Sequence, residues 1–297
     1  MKILITGGAG YIGSSICNLL KDKNNIVEIY DLFKDGSHAV NNFINNKNFI
    51  FTKADIRDEH LLKRSLQNSD VVIHLAAIVG FPACDSNPYE ASSINVEGTK
   101  ILCKSISKNQ RVIFSSTGAA YGKVDGICDE STPLNPSTLY SRTKSEGEEI
   151  VQGIDGVILR LATLYGVSNK SRDDLLINNL FKDAIKNKCI TLFEGHAIRT
   201  FLEVNEAARC FLMAVDGAFD SQGILNVGDS KNNFRKGEVA KKICELTNAH
   251  LFSENYNMDP DFRDYEVSYS KIKKLGFISE LDFDESLKSL KKYYEVN

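Results

Sequence analysis

A glycine-rich turn close to the N-terminus constrains the fold more than any other feature of this sequence. The apolar run Lys2–Thr6 is followed at once by GGAGYIG (residues 7–13), and an amphipathic segment comes next. Glycine has no Cβ, so such a turn lets the backbone approach a pyrophosphate, and the start of the following helix favours an anion. The pattern predicts a strand–turn–helix dinucleotide site. Its candidate residues are Gly7, Gly10, Tyr11, Ile12 and Gly13.

The first half of the chain alternates between two hydrophobic patterns. Apolar, β-branched runs predict strands at Lys2–Thr6, Val27–Asp31, Phe49–Asp55, Val71–Ala76, Arg111–Ser116 and Val157–Ala162. Segments with helical spacing lie between them, at Tyr11–Lys23, Glu59–Leu66, Glu90–Ser107 and Leu139–Gly153. Strands that are apolar throughout are buried on both faces, and strand–helix repetition connects parallel strands. The predicted fold class is therefore α/β, with a doubly wound parallel (Rossmann) sheet.

The alternation changes after residue 166. Ser168–Asp174 is polar and predicts a loop, and Ile224–Val227 predicts a late strand. Helices are predicted at Leu175–Lys188, Phe234–Thr247 and Ser286–Tyr294. We therefore predict a dinucleotide-binding domain over residues 1–166 and a smaller mixed C-terminal domain, mainly for substrate binding, over residues 167–297. The strand near 224–228 is expected to join the sheet of the first domain.

Composition and charge argue against several other classes of protein. Since 36 Lys and Arg stand against 39 Asp and Glu, the net charge is -3 and no nucleic-acid partner is expected. The longest apolar stretch, Val71–Phe81, is too short to span a bilayer, and no signal-peptide core follows Met1. The seven cysteines are scattered without a CxxC pair, so neither a disulfide framework nor a zinc site is expected. These features predict a cytoplasmic protein without a metal ion.

The second predicted strand ends in an acid, Asp31, about twenty residues beyond the glycines. A carboxylate in that place can accept a hydrogen bond from a ribose 2′-hydroxyl, and it repels a 2′-phosphate. The next residues, Leu32 and Phe33, offer no arginine for such a phosphate, and Lys34 is the nearby cation. The predicted cofactor is therefore NAD rather than NADP.

Tyr140 and Lys144 lie four residues apart within a predicted helix, hence on one face of it. A cation beside a phenol favours the phenolate and lowers a pKa that is ordinarily about 10. Tyr140 is thus a candidate general base for an alcohol and, in reverse, a general acid for a ketone. Thr117 closes a strand at the sheet edge where ligands bind, so its hydroxyl could contact a sugar oxygen. Alternatively, the pair could mark a solvated helix face, and Thr117 could be a cap.

These residues together resemble the extended short-chain dehydrogenase/reductase family, specifically its nucleotide-sugar epimerases and dehydratases. The resemblance extends over essentially the whole chain. It is carried by TGGAGYIG (6–13), Asp31, Ala54-Asp55-Ile56, HLAA (74–77), NVEGT (95–99), SSTGAAYG (115–122), YSRTK (140–144) and LRLATLYG (159–166). The segments GFPACDSNPYEASSINVEGT and SRDDLLINNLFKDAI are similar to bacterial members that modify sugars for surface polysaccharides.

The resemblance implies roles for many residues. It implies that Thr117, Tyr140 and Lys144 are catalytic, with Tyr140 and Lys144 also contacting the cofactor. Along NAD it places Leu32, Asp55, Ile56, Leu75, Ala76, Ala77, Asn95 and Ser115, with Asp55 and Ile56 beside the adenine. Around a nucleotide-diphosphate sugar it places Thr117, Thr163, Asn178, Asn179, Arg199 and Arg263, the arginines binding the diphosphate. In the alternative interpretation the asparagines are caps or face solvent, and Arg199 forms a surface ion pair. The resemblance also implies a homodimer.

The residues after Thr117 bear on the reaction. A sugar dehydratase of this family needs an acid/base pair there, and Gly118 and Ala119 cannot transfer a proton. The leading hypothesis is an NAD-dependent nucleotide-sugar 4-epimerase that passes through a 4-keto intermediate. The alternatives are a 4-ketoreductase or 4-dehydrogenase of the same family and, in a different class, a non-catalytic NAD-binding sensor or scaffold. The intact hydroxyl, phenol and ammonium set favours an enzyme.

Overall fold

The computed structural model describes residues 1–254 and 264–296 as an α/β fold. Its strands are β1 Lys2–Thr6, β2 Ile26–Asp31, β3 Phe49–Lys53, β4 Val71–His74, β5 Arg111–Thr117, β6 Lys123–Cys128, β7 Val157–Leu161, β8 Thr163–Tyr165, β9 Cys189–Phe193, β10 Ile198–Glu203, β11 Ile224–Val227, β12 Asn233–Arg235, β13 His250–Glu254 and β14 Asp264–Val267. Its α-helices are α1 Tyr11–Leu20, α2 Glu59–Leu66, α3 Phe81–Ser86, α4 Pro88–Ser92, α5 Gly98–Ser105, α6 Leu139–Gln152, α7 Leu176–Asn187, α8 Val204–Val215, α9 Lys236–Thr247, α10 Ser270–Lys274 and α11 Phe283–Val296.

Seven parallel strands form the central sheet, in the order β11-β7-β5-β4-β1-β2-β3. The predicted doubly wound sheet is thus confirmed. From β1 the chain moves outward through β2 to β3, and β4 then returns to the other side of β1. The sheet therefore has its switch point between β1 and β4, where the loops after neighbouring strands leave in opposite directions and open a crevice.

Helices cover both faces of this sheet. One face packs on α1 and α8 through a core that includes Ile16, Ala207 and Phe211. The other face packs on α2, α5 and α6 through a core that includes Leu62 and Leu102. No element was predicted between residues 189 and 223, yet this stretch supplies α8, which packs against α1. The second half of the chain thus completes the layers around the sheet.

Three smaller sheets lie outside the central one: β12-β10-β8, β13-β9 and β14-β6. A separate apolar cluster joins α7, α9 and α11 to them, with Phe181, Phe201, Ile243 and Leu287 fully or almost fully buried. Within residues 1–254 and 264–296, no helix has the length and apolar character that crossing a membrane requires. The same residues contain no cluster of three or more His, Cys, Asp or Glu side chains suited to a metal ion.

The helix predicted over Glu90–Ser107 is interrupted. A π-helical turn, Ser93–Glu97, separates α4 from α5. At Gly98, directly after this turn, a Cβ would lie 2.7 Å from Ile56 Cγ2, so glycine is needed for the close packing there. Single π turns inside helices are frequent at functional sites, because they re-aim one side chain. Here the turn contains Asn95.

Candidate active site

A cleft of about 410 Å³ runs along the carboxyl ends of the strands at the switch point. Many residues predicted from the sequence lie along its walls. They are Gly7, Gly10, Tyr11, Ile12, Gly13, Asp31, Leu75, Ala76, Ala77, Ser115, Thr117, Tyr140, Lys144 and Thr163. The fold therefore brings the glycine turn, the acid after β2 and the Tyr140/Lys144 pair into one site.

The glycine turn forms the floor of the cleft. Gly7 has φ +72°, and a Cβ there would lie 2.7 Å from the backbone nitrogen of Ala76. A Cβ on Gly13 would lie 2.6 Å from Gly8 Cα, so α1 packs directly on the turn. No side chain caps the start of α1, and its first turn holds no acid. Its first N–H groups are thus available to an anion, as a pyrophosphate site requires.

Two single substitutions separate packing from ligand access in this turn. A Cβ on Gly10 would approach only the Gly7 carbonyl oxygen, at 3.1 Å, whereas the Cβ of Gly13→Ala would clash with backbone. We expect Gly10→Ala to lower the melting temperature less than Gly13→Ala does but to weaken NAD binding, because its methyl group fills the place of the pyrophosphate. We expect Gly13→Ala to lower both the melting temperature and the affinity for NAD. Calorimetric titration and thermal unfolding measure the two effects, and equal stability losses would contradict the assignment.

The Asp31 carboxylate fixes the turn from the side of β2. It accepts hydrogen bonds from the backbone N–H of Ala9, at 3.0 Å, and of Phe33, at 2.8 Å. Burial raises the pKa of Asp31, and these two N–H groups oppose that shift. Phe33 has φ +50°, a strained conformation for a bulky residue, and its ring lines the cleft. Asp31 thus faces the cleft in an orientation that its own loop holds in place.

The opposite wall is built from the end of β5 and the start of α6. Thr138 caps α6 through a reciprocal bond with Ser141, which fixes the turn that presents Tyr140. Thr117 is 9% exposed, and its Oγ1 accepts the Ala119 N–H at 3.1 Å. That bond uses the oxygen as an acceptor and leaves the hydroxyl hydrogen for a ligand. Thr117 therefore caps a turn and also lines the cleft, and its contact with a sugar oxygen stays a prediction.

Lys144 lies deep in this wall, with 4% of its surface exposed. Its Nζ stands 4.1 Å from the centroid of the Phe114 ring, a cation–π contact that partly offsets the lost hydration. Burial lowers the pKa of Lys144 to about 7, while the nearby carboxylate of Glu148 opposes the shift. The charged form of Lys144 therefore lowers the stability of the folded protein.

Lys144→Met should accordingly stabilise the protein in a pH-dependent way. The folded state binds the Lys144 proton less tightly than the unfolded chain does, so its penalty is full below about pH 7 and fades as pH rises toward about 10. We expect a gain on the order of 2 kcal/mol at pH 6 that shrinks at pH 9. Thermal unfolding at the two pH values measures it, with exposed Lys104→Met as control. A gain independent of pH would contradict a buried, titrating ammonium.

Asn95 does not line the cleft but braces it. Its side chain accepts from the N–H of Ile78, at 2.8 Å, and donates to the Ile78 carbonyl, at 2.9 Å, and to Thr143 Oγ1, at 3.0 Å. These bonds tie the loop after β4 to the helix that carries Tyr140. The π-helical turn orients the Asn95 amide so that it contacts both Ile78 and Thr143.

Several other predicted residues are placed away from the lining. Asp55 pairs with Arg57, at 2.9 and 2.5 Å, and Ile56 is buried against Gly98. Leu32 is 41% exposed and does not face the cleft. Their contacts with the adenine end of the cofactor remain a prediction.

The predicted substrate residues of the second half also lie outside the lining, apart from Thr163. Asn178 is buried and accepts from the N–H of Gly166 at 3.0 Å, so it shapes the loop after β8. Asn179 contacts Asp183 at 3.4 Å on the surface. Arg199 is 4% exposed and donates to the Ile198 carbonyl at 3.1 Å, and Arg263 lies outside the described residues. Their binding of a diphosphate remains a prediction.

Lys170 and Arg172 line the cleft although the sequence did not single them out. Lys170 forms an ion pair with Asp35, at 2.8 Å, across the cleft mouth. Arg172 binds Asp174 through two nitrogens, at 2.6 and 2.7 Å, and lies within electrostatic reach of Tyr140. Their only sequence signal was the density of charge in the predicted loop.

The cleft fits NAD. Asp31 at one end suits the hydroxyls of a ribose, and the uncapped start of α1 suits the pyrophosphate. The other end, three strands away at β5, carries Tyr140 and Lys144 beside Thr117. Three strand spacings make about 14 Å, which separates the ribose acid from the reacting end.

Comparison with known proteins gives a consistent result. The sequence profile of the NAD-dependent epimerase/dehydratase family matches residues 3–228. The Bacillus subtilis UDP-glucose epimerase YtcB, named as uncharacterized, is 34% identical over 70% of this chain and 71% of its own. Human dTDP-D-glucose 4,6-dehydratase is 28% identical over 100% of this chain and 90% of its own. The solved UDP-glucuronic acid 4-epimerase of Bacillus cereus, in complex with UDP-glucuronic acid and NAD, is 27% identical with a TM-score of 0.86, covering 100% and 99% of the two chains.

Proposed function

Because the chain belongs to the NAD-dependent epimerase/dehydratase family, with NAD as its cofactor, we propose that it is a 4-epimerase of a nucleotide-linked sugar. The family and the cofactor are those predicted from the motifs. What carries the proposal is the composition of the wall around Thr117: among the residues that the structure describes, it holds the groups for moving one hydroxyl proton and no second acid/base pair.

The chemistry divides between the cofactor and three side chains. The glycine turn and Asp31 would hold NAD, which would supply the hydride acceptor for C4 of the sugar and the donor that returns the hydride to either face. Tyr140 removes the proton of the C4 hydroxyl and returns it when the hydroxyl is re-formed. Lys144 supplies a positive charge on the same helix face, which stabilises the phenolate. Thr117 donates its free hydroxyl hydrogen toward the sugar oxygen or Tyr140.

Dehydration would require more than this wall provides. Eliminating water across C5 and C6 needs an acid and a base beside Thr117, and the next residues are Gly118 and Ala119. Among the described residues, the acids that line the cleft are Asp31 and Asp35. Asp31 ends β2, three strand spacings or about 14 Å from β5, and Asp35 lies in the loop beyond it, paired with Lys170. This observation favours epimerisation over the dehydration performed by some relatives.

The direct test follows the sugar protons by NMR. The protein is incubated in deuterated water with UDP-, GDP-, CDP- and dTDP-linked sugars. We expect a C4-inverted product without added cofactor and without deuterium in the carbon skeleton, since the hydride returns directly. Deuterium at C3 or C5 would indicate enolisation and overturn the 4-epimerase. A one-way product that consumes stoichiometric NADH would show a 4-ketoreductase instead. Bound NAD that no sugar nucleotide reduces would favour a sensor or scaffold.

A further inference from the structure

A buried carboxylate lies one helical turn beyond Lys144. Glu148 is 2% exposed, and its position on α6 puts it on the same face as Lys144. It accepts hydrogen bonds from Ser116 Oγ and from Arg160, whose Nε and Nη2 lie 2.9 and 2.7 Å from the two carboxylate oxygens. We propose that Glu148 is a positioning residue of the active site: it keeps positive charge on Lys144 and holds Ser116 at the end of β5. The inference rests on the proposed function for the use of that charge and for the turnover by which Ser116 is tested.

Stability alone is a poor explanation for this arrangement. Buried ion pairs gain little over well-packed apolar side chains, because two charges lose their hydration. Glu148 and Arg160 are 2% and 4% exposed, so the loss is nearly complete. Ser116, which donates to Glu148, lines the cleft. The pair therefore sits directly behind the proposed site and connects a residue of its wall to the catalytic helix.

Arg160 is itself immobilised, which fixes the carboxylate. Its Nη1 donates to the Tyr121 hydroxyl at 3.0 Å, and that hydroxyl donates to Asn226 Oδ1 at 2.7 Å. Its guanidinium carbon lies 5.1 Å from the Tyr121 ring centroid. Contacts from β7 and β11 thus fix Arg160, and Arg160 in turn fixes the Glu148 carboxylate. Glu148 then orients Ser116 by a hydrogen bond and favours the charged form of Lys144.

The charges around Lys144 leave Glu148 as the main group that favours its protonation. The titratable groups near it, from the surrounding elements, are Tyr140, Glu148, Cys84, His74 and, behind Glu148, Arg160. His74 is fully buried between Thr6 and Thr99, and burial lowers its pKa to about 3, so it adds no charge. Burial raises the pKa of Cys84 to about 11, so that thiol is neutral.

Two substitutions should move the Lys144 titration in opposite directions. Glu148→Gln removes the negative charge and leaves Arg160 uncompensated, so the midpoint should fall by about one pH unit. Arg160→Gln leaves the carboxylate charge acting on Lys144, so the midpoint should rise. If Glu148 had a purely structural role, both variants would be less stable, but the Lys144 midpoint would not move in opposite directions.

The readout is the pH dependence of the Lys144 side-chain NMR signal in the purified holoenzyme labelled with [ε-13C]lysine. Comparison with Lys144→Met assigns the signal. Glu149→Gln is the matched control, because it neutralises the adjacent, exposed carboxylate on the same helix. This titration needs no substrate, so it can support the proposal even if the 4-epimerase assignment fails.

Ser116→Ala tests the second half of the proposal in a variant that keeps both buried charges paired. We expect turnover to fall about tenfold with no shift of the Lys144 midpoint. Unchanged turnover would overturn the positioning of Ser116. A Lys144 midpoint unmoved in either charge variant that folds, or moved equally by Glu149→Gln, would overturn the charge role. If Glu148→Gln does not fold, Arg160→Gln alone decides, and failure of both to fold counts for a structural role.

Discussion

Tyr140→Phe should reduce turnover by about a hundredfold to ten-thousandfold while leaving the fold and the bound cofactor in place. The change deletes one hydroxyl, which we propose to be the group that takes and returns the sugar proton. A positioned general acid/base contributes about 10²–10⁴-fold to a rate, and this sets the size of the effect. Turnover is measured by NMR of the sugar nucleotide, and retained NAD by the absorbance of the purified variant.

The control is Tyr89→Phe, which deletes the same hydroxyl from a side chain that is 84% exposed. It should behave as wild type. Turnover in Tyr140→Phe within about twofold of wild type would remove Tyr140 from its role, and an unfolded variant would instead point to structure. The distinction matters because Tyr140 begins a helix whose cap and buried face are set by other residues, Thr138 and Ser141.

The sheet could be predicted from the sequence because its strands are buried on both faces. Such strands are mostly apolar, and β1 and β11 have the predicted bounds, Lys2–Thr6 and Ile224–Val227. The short strands outside the sheet have no such signal. β8, for example, has three residues and exists because β10 pairs with it. α8 was missed, since no element was assigned between residues 189 and 223.

The residues of the site likewise include some that could be predicted from the sequence and some that could not. Residues next to a strand end, such as Asp31 and Thr117, could be placed from the order of elements alone. Lys170 could not, because it reaches the cleft through contacts between segments far apart in sequence. Ser168 donates to the Tyr11 carbonyl at 2.7 Å, and this docks the loop of Lys170 on α1. Asn95 is a different case. The sequence motif that contains it was recognised, but in the structure its side-chain amide forms hydrogen bonds with Ile78 and Thr143.

Asp31→Ala should weaken NAD binding by about ten- to a hundredfold and narrow the preference for NAD over NADP. A hydrogen bond to a charged acceptor is worth about 1.5–3 kcal/mol, and the carboxylate would accept from the ribose. The alanine also frees the N–H groups of Ala9 and Phe33, which the carboxylate binds at 3.0 and 2.8 Å. Part of the loss therefore comes from a looser glycine turn, and this part affects both cofactors equally.

Asp35→Asn separates these contributions, because it removes a nearby negative charge that is bound to Lys170 and not to the turn. If any negative charge near the ribose were enough to repel the 2′-phosphate of NADP, Asp35→Asn would narrow the preference for NAD over NADP as much as Asp31→Ala does. We expect a small change, because the Asp35 side chain is 71% exposed and screened by solvent. Titration calorimetry of cofactor-free protein with NAD and NADP gives both ratios. An unchanged ratio in Asp31→Ala would mean that its carboxylate holds the turn without contacting the ribose.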